Sequence, residues 1–160
     1  FCGYADGLED DGLAKTFPSM PKDADLRRRV LVDGLAGRLA EHIRAFDPSI
    51  IYYPWTGEFH ADHWAVGAAV ESLVAHDPAL ARGRDFLGYE VWSTLVPDTL
   101  IDTTATHADK VLAIRVFETQ TRYADYTTVV SGLNAHRGLL MADRGERFAE
   151  GFIGRYGAAR

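Results

Sequence analysis

Two imidazoles and two carboxylates fall within six residues of this chain, in the run Glu58-Phe59-His60-Ala61-Asp62-His63. An imidazole can move a proton near neutral pH or, as the neutral ring, ligate a divalent metal; a carboxylate can orient that ring or act as a base. His60 and His63 are three residues apart, so at the start of a helix they come to the same side with Cβ atoms roughly 5–6 Å apart. At that separation they can share one site without both binding one ion. Catalytic zinc usually takes three protein ligands and leaves a position open for water. This chain offers one good imidazole ligand and no clear set of three. The His-x-Asp-His pattern alone recurs by chance in surface loops, and its weight comes from the elements around it.

Those elements are a strand and a helix. Ile50, Ile51, Tyr52 and Tyr53 have the β-branched and aromatic content of a buried strand, and pairing is expected to stop at Pro54, which has no N–H to donate. A helix is expected from Asp62 or just after it, because Val66, Ala69, Val70, Leu73 and Val74 follow the i, i+3, i+4, i+7, i+8 spacing of one apolar face. In α/β folds, the turn after a strand and the first turn of the next helix form the edge where ligands bind.

The rest of the chain supplies the frame. Asp23 to Phe46 reads as a helix, with Leu26, Val30, Leu35, Leu39, Ile43 and Phe46 inward, Asp23 or Asp25 as N-cap, and Asp47-Pro48 as its end. Asp77-Pro78 and Gly83 break the central helix. Phe86 to Trp92 reads as a second buried strand, with Glu90 where strand meets loop; that carboxylate either faces the crevice of His60 and His63 or pairs with an arginine. Leu100 and Ile101 make a short strand or an extended piece. Thr106 to Asp109 resembles a capping box for a helix running to about Gln120, and a further helix after Asp125 places Tyr126, Val129, Val130, Leu133 and Leu140 on one face. Arg144 and Gly145 form a turn before Phe148, Phe152 and Ile153. Helix, strand, turn, helix is the grammar of a mostly parallel, Rossmann-like α/β sheet flanked by helices.

Composition sets the bounds. The chain has 160 residues, 47% hydrophobic and 25% charged, enough for one domain burying roughly 70% of its unfolded surface. The net charge of -6, with no basic run beyond Arg27, Arg28 and Arg29, argues against nucleic acid as a partner. Cys2 is the only cysteine, which excludes an intrachain disulfide and fits a reducing, cytoplasmic setting. No apolar stretch of ~18 residues spans a membrane. Residues 1 to 22, rich in Gly, Pro and acidic residues, read as loop, with Glu9, Asp10 and Asp11 at a solvated tip. His42, His76, His107 and His136 read as structural or solvent-exposed.

Four segments taken together carry a resemblance: Ile51 to Val66; Tyr89-Glu90-Val91-Trp92; Lys110 followed by Glu118-Thr119-Gln120; and Phe148-Ala149-Glu150-Gly151-Phe152. In content and order they resemble the LmbE-like, or PIG-L, family of zinc-dependent N-deacetylases. That family's second motif is commonly His-Pro-Asp-His, and Ala61 stands here in the proline position. The resemblance implies that His63 is a zinc ligand, with another divalent metal an alternative. It also implies that His60 acts near the substrate carbonyl as oxyanion stabiliser or acid, and that Asp62 orients it. The implied reaction is hydrolysis of the N-acetyl group of an amino sugar such as a GlcNAc derivative or a glycoconjugate.

The family opens with an Ala-His-Pro-Asp-Asp-Glu motif on a first strand, which supplies its other zinc ligands and general base. No such motif occurs in this chain. Residues 1–160 are therefore expected to form a single domain equivalent to the carboxyl-terminal two-thirds of such an enzyme, lacking the first strand-helix unit. Two alternatives stand beside it. One is a non-catalytic carbohydrate-binding module, stacking sugar on Trp55 or Trp64; the other is a module that completes a sheet or site with a partner chain. Trp92, Tyr89 and Phe59 are candidates to line a pocket or to pack in the core. Homo-oligomerisation stays open.

Overall fold

The computed structural model describes residues 24–141, 145 and 147–156, with side chains from residue 31 onward. The expectations for Cys2, for the opening loop with Glu9, Asp10 and Asp11, for Asp23, for the faces of Leu26 and Val30, and for Arg144 lie outside the described residues. The chain divides into two compact units, one running up to Leu95 and taking in the residues from Ile153, the other spanning Val96–Phe152.

The first unit carries α1 (Ala24–Phe46), β1 (Ile50–Pro54), α2 (Ala61–His76), the short α3 (Pro78–Ala81) and β2 (Asp85–Tyr89). The start of α1 at Ala24 puts Asp25 inside the helix instead of at its cap. Leu31, Leu35, Ala36, Ala40 and Ile43 of α1 meet Ala65, Ala69, Val70 and Leu73 of α2 in one apolar cluster that also takes in Tyr53 and Phe86. Phe46, expected on the inner face, is 83% exposed. The helix ends there, and Asp47 turns into the left-handed region at φ 50° before Pro48.

β1 and β2 run parallel, with Ile51 opposite Phe86 and Pro54 opposite Tyr89. Pairing continues one step past the proline, because the Trp55 N–H donates to the carbonyl of Tyr89 at 2.9 Å. Alternate residues of a strand offer their N–H to opposite sides, so with Trp55 facing β2 the missing donor of Pro54 falls on the other edge. β1 is half-covered, not buried as expected: Tyr53 is buried, while Ile50 and Tyr52 are exposed. β2 stops at Tyr89, short of the expected Trp92.

The second unit holds β3 (Thr99–Asp102), a 3-10 turn (Thr104–Thr106), α4 (His107–Arg115), α5 (Glu118–Thr121), α6 (Tyr126–Leu139) and the first part of β4 (Ala149–Arg155). β3 and β4 pair antiparallel, with Thr99 opposite Phe152. The four strands are ordered β1-β2-β4-β3. The class is α/β as expected, but the sheet is mixed, not mostly parallel. Short apolar runs look alike in both pairings, so strand direction was not legible from them.

Three local expectations change in this unit. The Thr106 side chain does not cap α4; it ends the 3-10 turn, and its hydroxyl donates backward to Thr103 O. The helix expected to reach Gln120 breaks after Arg115, where Phe117 leaves the helical region at ψ 62°. In α6 the buried residues are Asn134, Arg137 and Gly138, whereas Val129 and Leu140 are exposed. The reason is local: a Cβ on Gly138 would stand 2.1 Å from the carbonyl oxygen of Arg147, so the missing side chain lets the chain before β4 close onto this face. Asn134 then donates to the Ala149 carbonyl at 2.9 Å.

Candidate functional site

The site begins where β1 ends. The Glu58 N–H returns to the Trp55 carbonyl at 3.3 Å, closing a tight turn, and His60 takes the N-cap position of α2 in extended conformation. The helix then starts at Ala61, with the Trp64 N–H donating to His60 O. One turn on, Gly67 lets α2 lie close against the strand end: a Cβ there would be 2.5 Å from the Pro54 carbonyl oxygen. The apolar face of the helix is thus packed into the core while its first turn stands over the carboxyl ends of β1 and β2.

His60, Asp62 and His63 come together as expected. The rings of His60 and His63 stack with centroids 4.6 Å apart and planes 29° apart. Asp62 Oδ2 lies 3.9 Å from Nδ1 of His60, close enough to favour one ring orientation through charge. All three side chains remain partly open, with His60 46% exposed and His63 27%.

Glu58 is the residue whose importance the sequence did not convey. Its side chain is fully buried and gathers the loop after β2. Oε1 accepts the backbone N–H groups of Val91 at 2.7 Å, Trp92 at 3.1 Å and Ser93 at 3.2 Å. Oε2 lies 3.1 Å from Trp92 N and 3.4 Å from Nδ1 of His63, at the long end of hydrogen-bonding range. Burial pushes the Glu58 carboxyl up, but the three backbone donors and His63 outweigh it and hold it below the usual carboxylate range. Burial, joined by the charge of that carboxylate, pushes the Tyr89 phenol up, so that ring stays protonated. The donors lie 33 to 35 positions downstream, a separation at which no sequence pattern announces a partner.

Two further bonds tie the loops together. The Trp55 indole N–H donates to Ser93 O at 3.0 Å, and the Phe59 N–H donates to Ser93 Oγ at 3.0 Å. Trp55 is thus used as a clamp, and Trp64 packs against the apolar cluster. Phe59 and Trp92 are 71% and 50% exposed, on segments that these bonds hold next to His60. Glu90 serves its own loop, where its Oε2 accepts the Leu95 N–H at 2.9 Å.

The other histidines fall out as structural. His107 is buried, stacks on Phe148 with centroids 3.6 Å apart and meets Ser131 Oγ through Nε2. His42, His76 and His136 are exposed. Two of the segments singled out in the sequence meet in the second unit, where Lys110 Nζ lies 2.5 Å from Glu150 Oε1 and 3.0 Å from Asn134 Oδ1.

A metal was expected at His63. Among the described residues no three His, Cys, Asp or Glu side chains converge as a metal set. His63 itself fits as one ligand, because its Nδ1 faces a carboxylate and its Nε2 is left to serve. No helix among the described residues is long and apolar enough to cross a membrane.

No protein-family model matches the chain, and no curated protein matches it. Solved structures do, among them two at 17% and 21% identity. The conserved protein TT1542 from Thermus thermophilus superposes with a TM-score of 0.62 at 17% identity, over 79% of this chain and 60% of its own length. GalB, the 4-carboxy-2-hydroxymuconate hydratase from Pseudomonas putida, superposes with a TM-score of 0.58 at 21% identity, over 91% of this chain and 63% of its own. These findings correct the assignment to the LmbE-like deacetylases. The four segments do not amount to a family match, and the similar structure whose activity is stated is a hydratase. Four short segments of common residue types can share spacing because the same turns and helix starts demand them. What the chain shares with TT1542 and GalB is an α/β fold, and it spans about three-fifths of the length of each.

Proposed function

We propose that this chain forms part of an enzyme that adds water to a small polar substrate, and that the reaction is hydrolysis of the N-acyl group of an amino sugar such as a GlcNAc derivative. The observation that carries the reading is the stacked pair His60–His63, flanked by Asp62 and by the buried Glu58, at the carboxyl ends of two parallel strands. His60 is the more open ring and has its own carboxylate neighbour, which suits it to donate a proton. In amide hydrolysis the water oxygen bonds to the carbonyl carbon, the C–N bond breaks, and the leaving nitrogen takes a proton from His60; of the two protons the water gives up, one returns to His60 and the other passes to solvent, so the products are the carboxylate and the free amine. Asp62 orients His60. His63 is the residue that would hold zinc or another divalent ion, joined by ligands that the described residues do not supply. When bound, such an ion polarises the carbonyl and lowers the pKa of water.

The hydratase activity of GalB supports a second reading, addition of water across a carbon–carbon double bond by the same residues. One experiment separates the two. The protein is incubated with and without Zn2+ against an N-acetylglucosamine derivative, following acetate, and against an unsaturated hydroxy-acid, following the loss of its conjugated absorbance. Zinc-dependent acetate release that His63→Ala removes supports the hydrolase. Absorbance loss alone supports the hydratase, and neither signal in the intact protein would leave the non-catalytic, sugar-binding alternative.

A further inference from the structure

The bonds of Glu58 dictate more than the shape of a loop. An ionised carboxylate only accepts hydrogen bonds. Oε1 is occupied by three backbone N–H groups, and Oε2 faces both Trp92 N and His63 Nδ1. A neutral imidazole beside Oε2 must therefore carry its proton on Nδ1, since a lone pair turned toward the carboxylate would be repelled. We infer that Glu58 is a positioning residue that holds His63 as the Nδ1–H tautomer, leaving Nε2 as the ring's one lone pair for a ligand, while anchoring the Val91–Ser93 loop beside it. This rests on the proposed role of His63 as a metal ligand only for its functional meaning; the tautomer itself follows from the hydrogen bonds. An outer carboxylate that fixes tautomer and raises the basicity of a ligating histidine is a general feature of metal sites.

The same donor count gives a test that reads the tautomer directly. In Glu58→Gln, three backbone N–H groups on one atom require the amide oxygen there. The amide NH2 is then forced toward His63, where it donates to Nδ1 and drives the ring proton to Nε2. A conservative change of one atom should thus invert the tautomer and present a proton where a ligand would bind.

The measurement is a long-range 1H–15N correlation on the protein labelled at histidine, at mildly alkaline pH where imidazole is neutral, with His63 assigned by its loss in His63→Gln. In the wild type the pyridine-type nitrogen is expected at Nε2; in Glu58→Gln it is expected at Nδ1. His107, hydrogen-bonded to Ser131, serves as the unchanged reference. Should Glu58→Gln not fold, the wild-type spectrum decides by itself, and Glu58→Asp, which keeps the charge but is one methylene shorter, is expected to show both tautomers. A wild-type His63 protonated on Nε2, or a folded Glu58→Gln with an unaltered ring, overturns the inference.

A parallel titration with Zn2+ alone separates this inference from the functional reading. Binding weakened roughly 10–100-fold in Glu58→Gln together with the inverted tautomer supports both. An inverted tautomer in a protein that binds no zinc keeps the positioning role and removes the metal. Equal zinc binding with an unaltered tautomer keeps the metal and removes the positioning role.

Discussion

The imidazoles of His60 and His63 stack 4.6 Å apart, yet each faces a different carboxylate: Asp62 lies beside Nδ1 of His60, and Glu58 beside Nδ1 of His63. Under the proposed function, this pairing assigns one ring to the proton and the other to the ligand. His60→Ala is therefore expected to lower kcat by roughly 10²–10⁴-fold, the usual worth of a positioned acid, with zinc affinity nearly unchanged. His63→Ala should abolish zinc binding and the zinc-dependent rate together. Acetate release and a zinc titration on the same samples check this; equal loss of zinc by both variants would sink the division of labour.

Glu58 also bears on stability. Glu58→Ala would leave the backbone donors of Val91, Trp92 and Ser93 facing a void, at a cost of about 1–3 kcal/mol. The folded carboxyl titrates below its ordinary value of 4.5. Its contribution is thus complete above that value and is lost as pH falls through the lower, folded pKa. Urea denaturation between neutral and strongly acid pH should show the wild type losing part of its advantage over Glu58→Ala at the acid end. A constant difference across that range would refute the role of the ionised carboxylate.

How much of this could be read from the chain depends on how far apart the partners lie. The turn from Pro54 to Asp62 and the helix after it were legible, because a strand, a proline and an apolar helical face are local signals. So was the nearness of His60 to His63, which helix geometry alone imposes. The role of Glu58 was not, since its donors come from a loop some 33 residues on that only the pairing of β1 with β2 brings near. The face of α6 was misread for a related reason. Asn134 and Gly138 are buried by what packs on them, a carbonyl and a backbone approach, and a hydrophobic pattern cannot reveal polar or side-chain-free contacts. Val129 looked inward by spacing but is 63% exposed.

Gly67 is where site and core are joined. A methyl group at this position would stand 2.5 Å from the Pro54 carbonyl oxygen, a backbone atom with little room to yield. Gly67→Ala gains helix propensity of about 1 kcal/mol, but the overlap is expected to outweigh it, for a net loss of about 1–2 kcal/mol. Because the helix must move off the strand end, His60 should also lose alignment and kcat should fall more than KM rises. Gly67→Ser would behave alike, and Gly37→Ala, with nothing within 4 Å of its Cβ, should be neutral or stabilising. A Gly67→Ala protein as stable as the wild type would show that α2 does not depend on this contact.

Asp125 caps α6 through the backbone N–H of Thr128 and the hydroxyls of Thr127 and Thr128. Those bonds, the two hydroxyls first, hold its carboxyl at about 2. Asp125→Ala should lower Tm by about 2–4 °C and raise amide exchange in the first turn of α6. The effect on Tm should be complete above pH ~4, the ordinary carboxylate range, and be lost progressively as the pH falls from there to about 2, where the folded carboxyl takes up its proton. Wild-type protection in that turn after the substitution would refute the cap.

Lys110, Glu150 and Asn134 set two kinds of polar contact side by side. The Lys110–Glu150 pair is close at 2.5 Å, but each side chain is about a third exposed, so solvent screens it and the coupling should be only about 0.5–1 kcal/mol. Asn134 is buried, accepting from Lys110 Nζ and donating to the Ala149 carbonyl; its two bonds also fix which way its amide points. Asn134→Ala would leave a buried carbonyl without this donor and open a cavity, at about 2–3 kcal/mol. A cycle of Lys110→Met, Glu150→Gln and the double variant, measured by urea denaturation in low and high salt, gives the coupling and its screening. The asparagine is expected to cost more than the ion pair contributes. If the cycle returned several kcal/mol that salt did not reduce, the charged pair and not the amide would be what fastens α4 and α6 to β4.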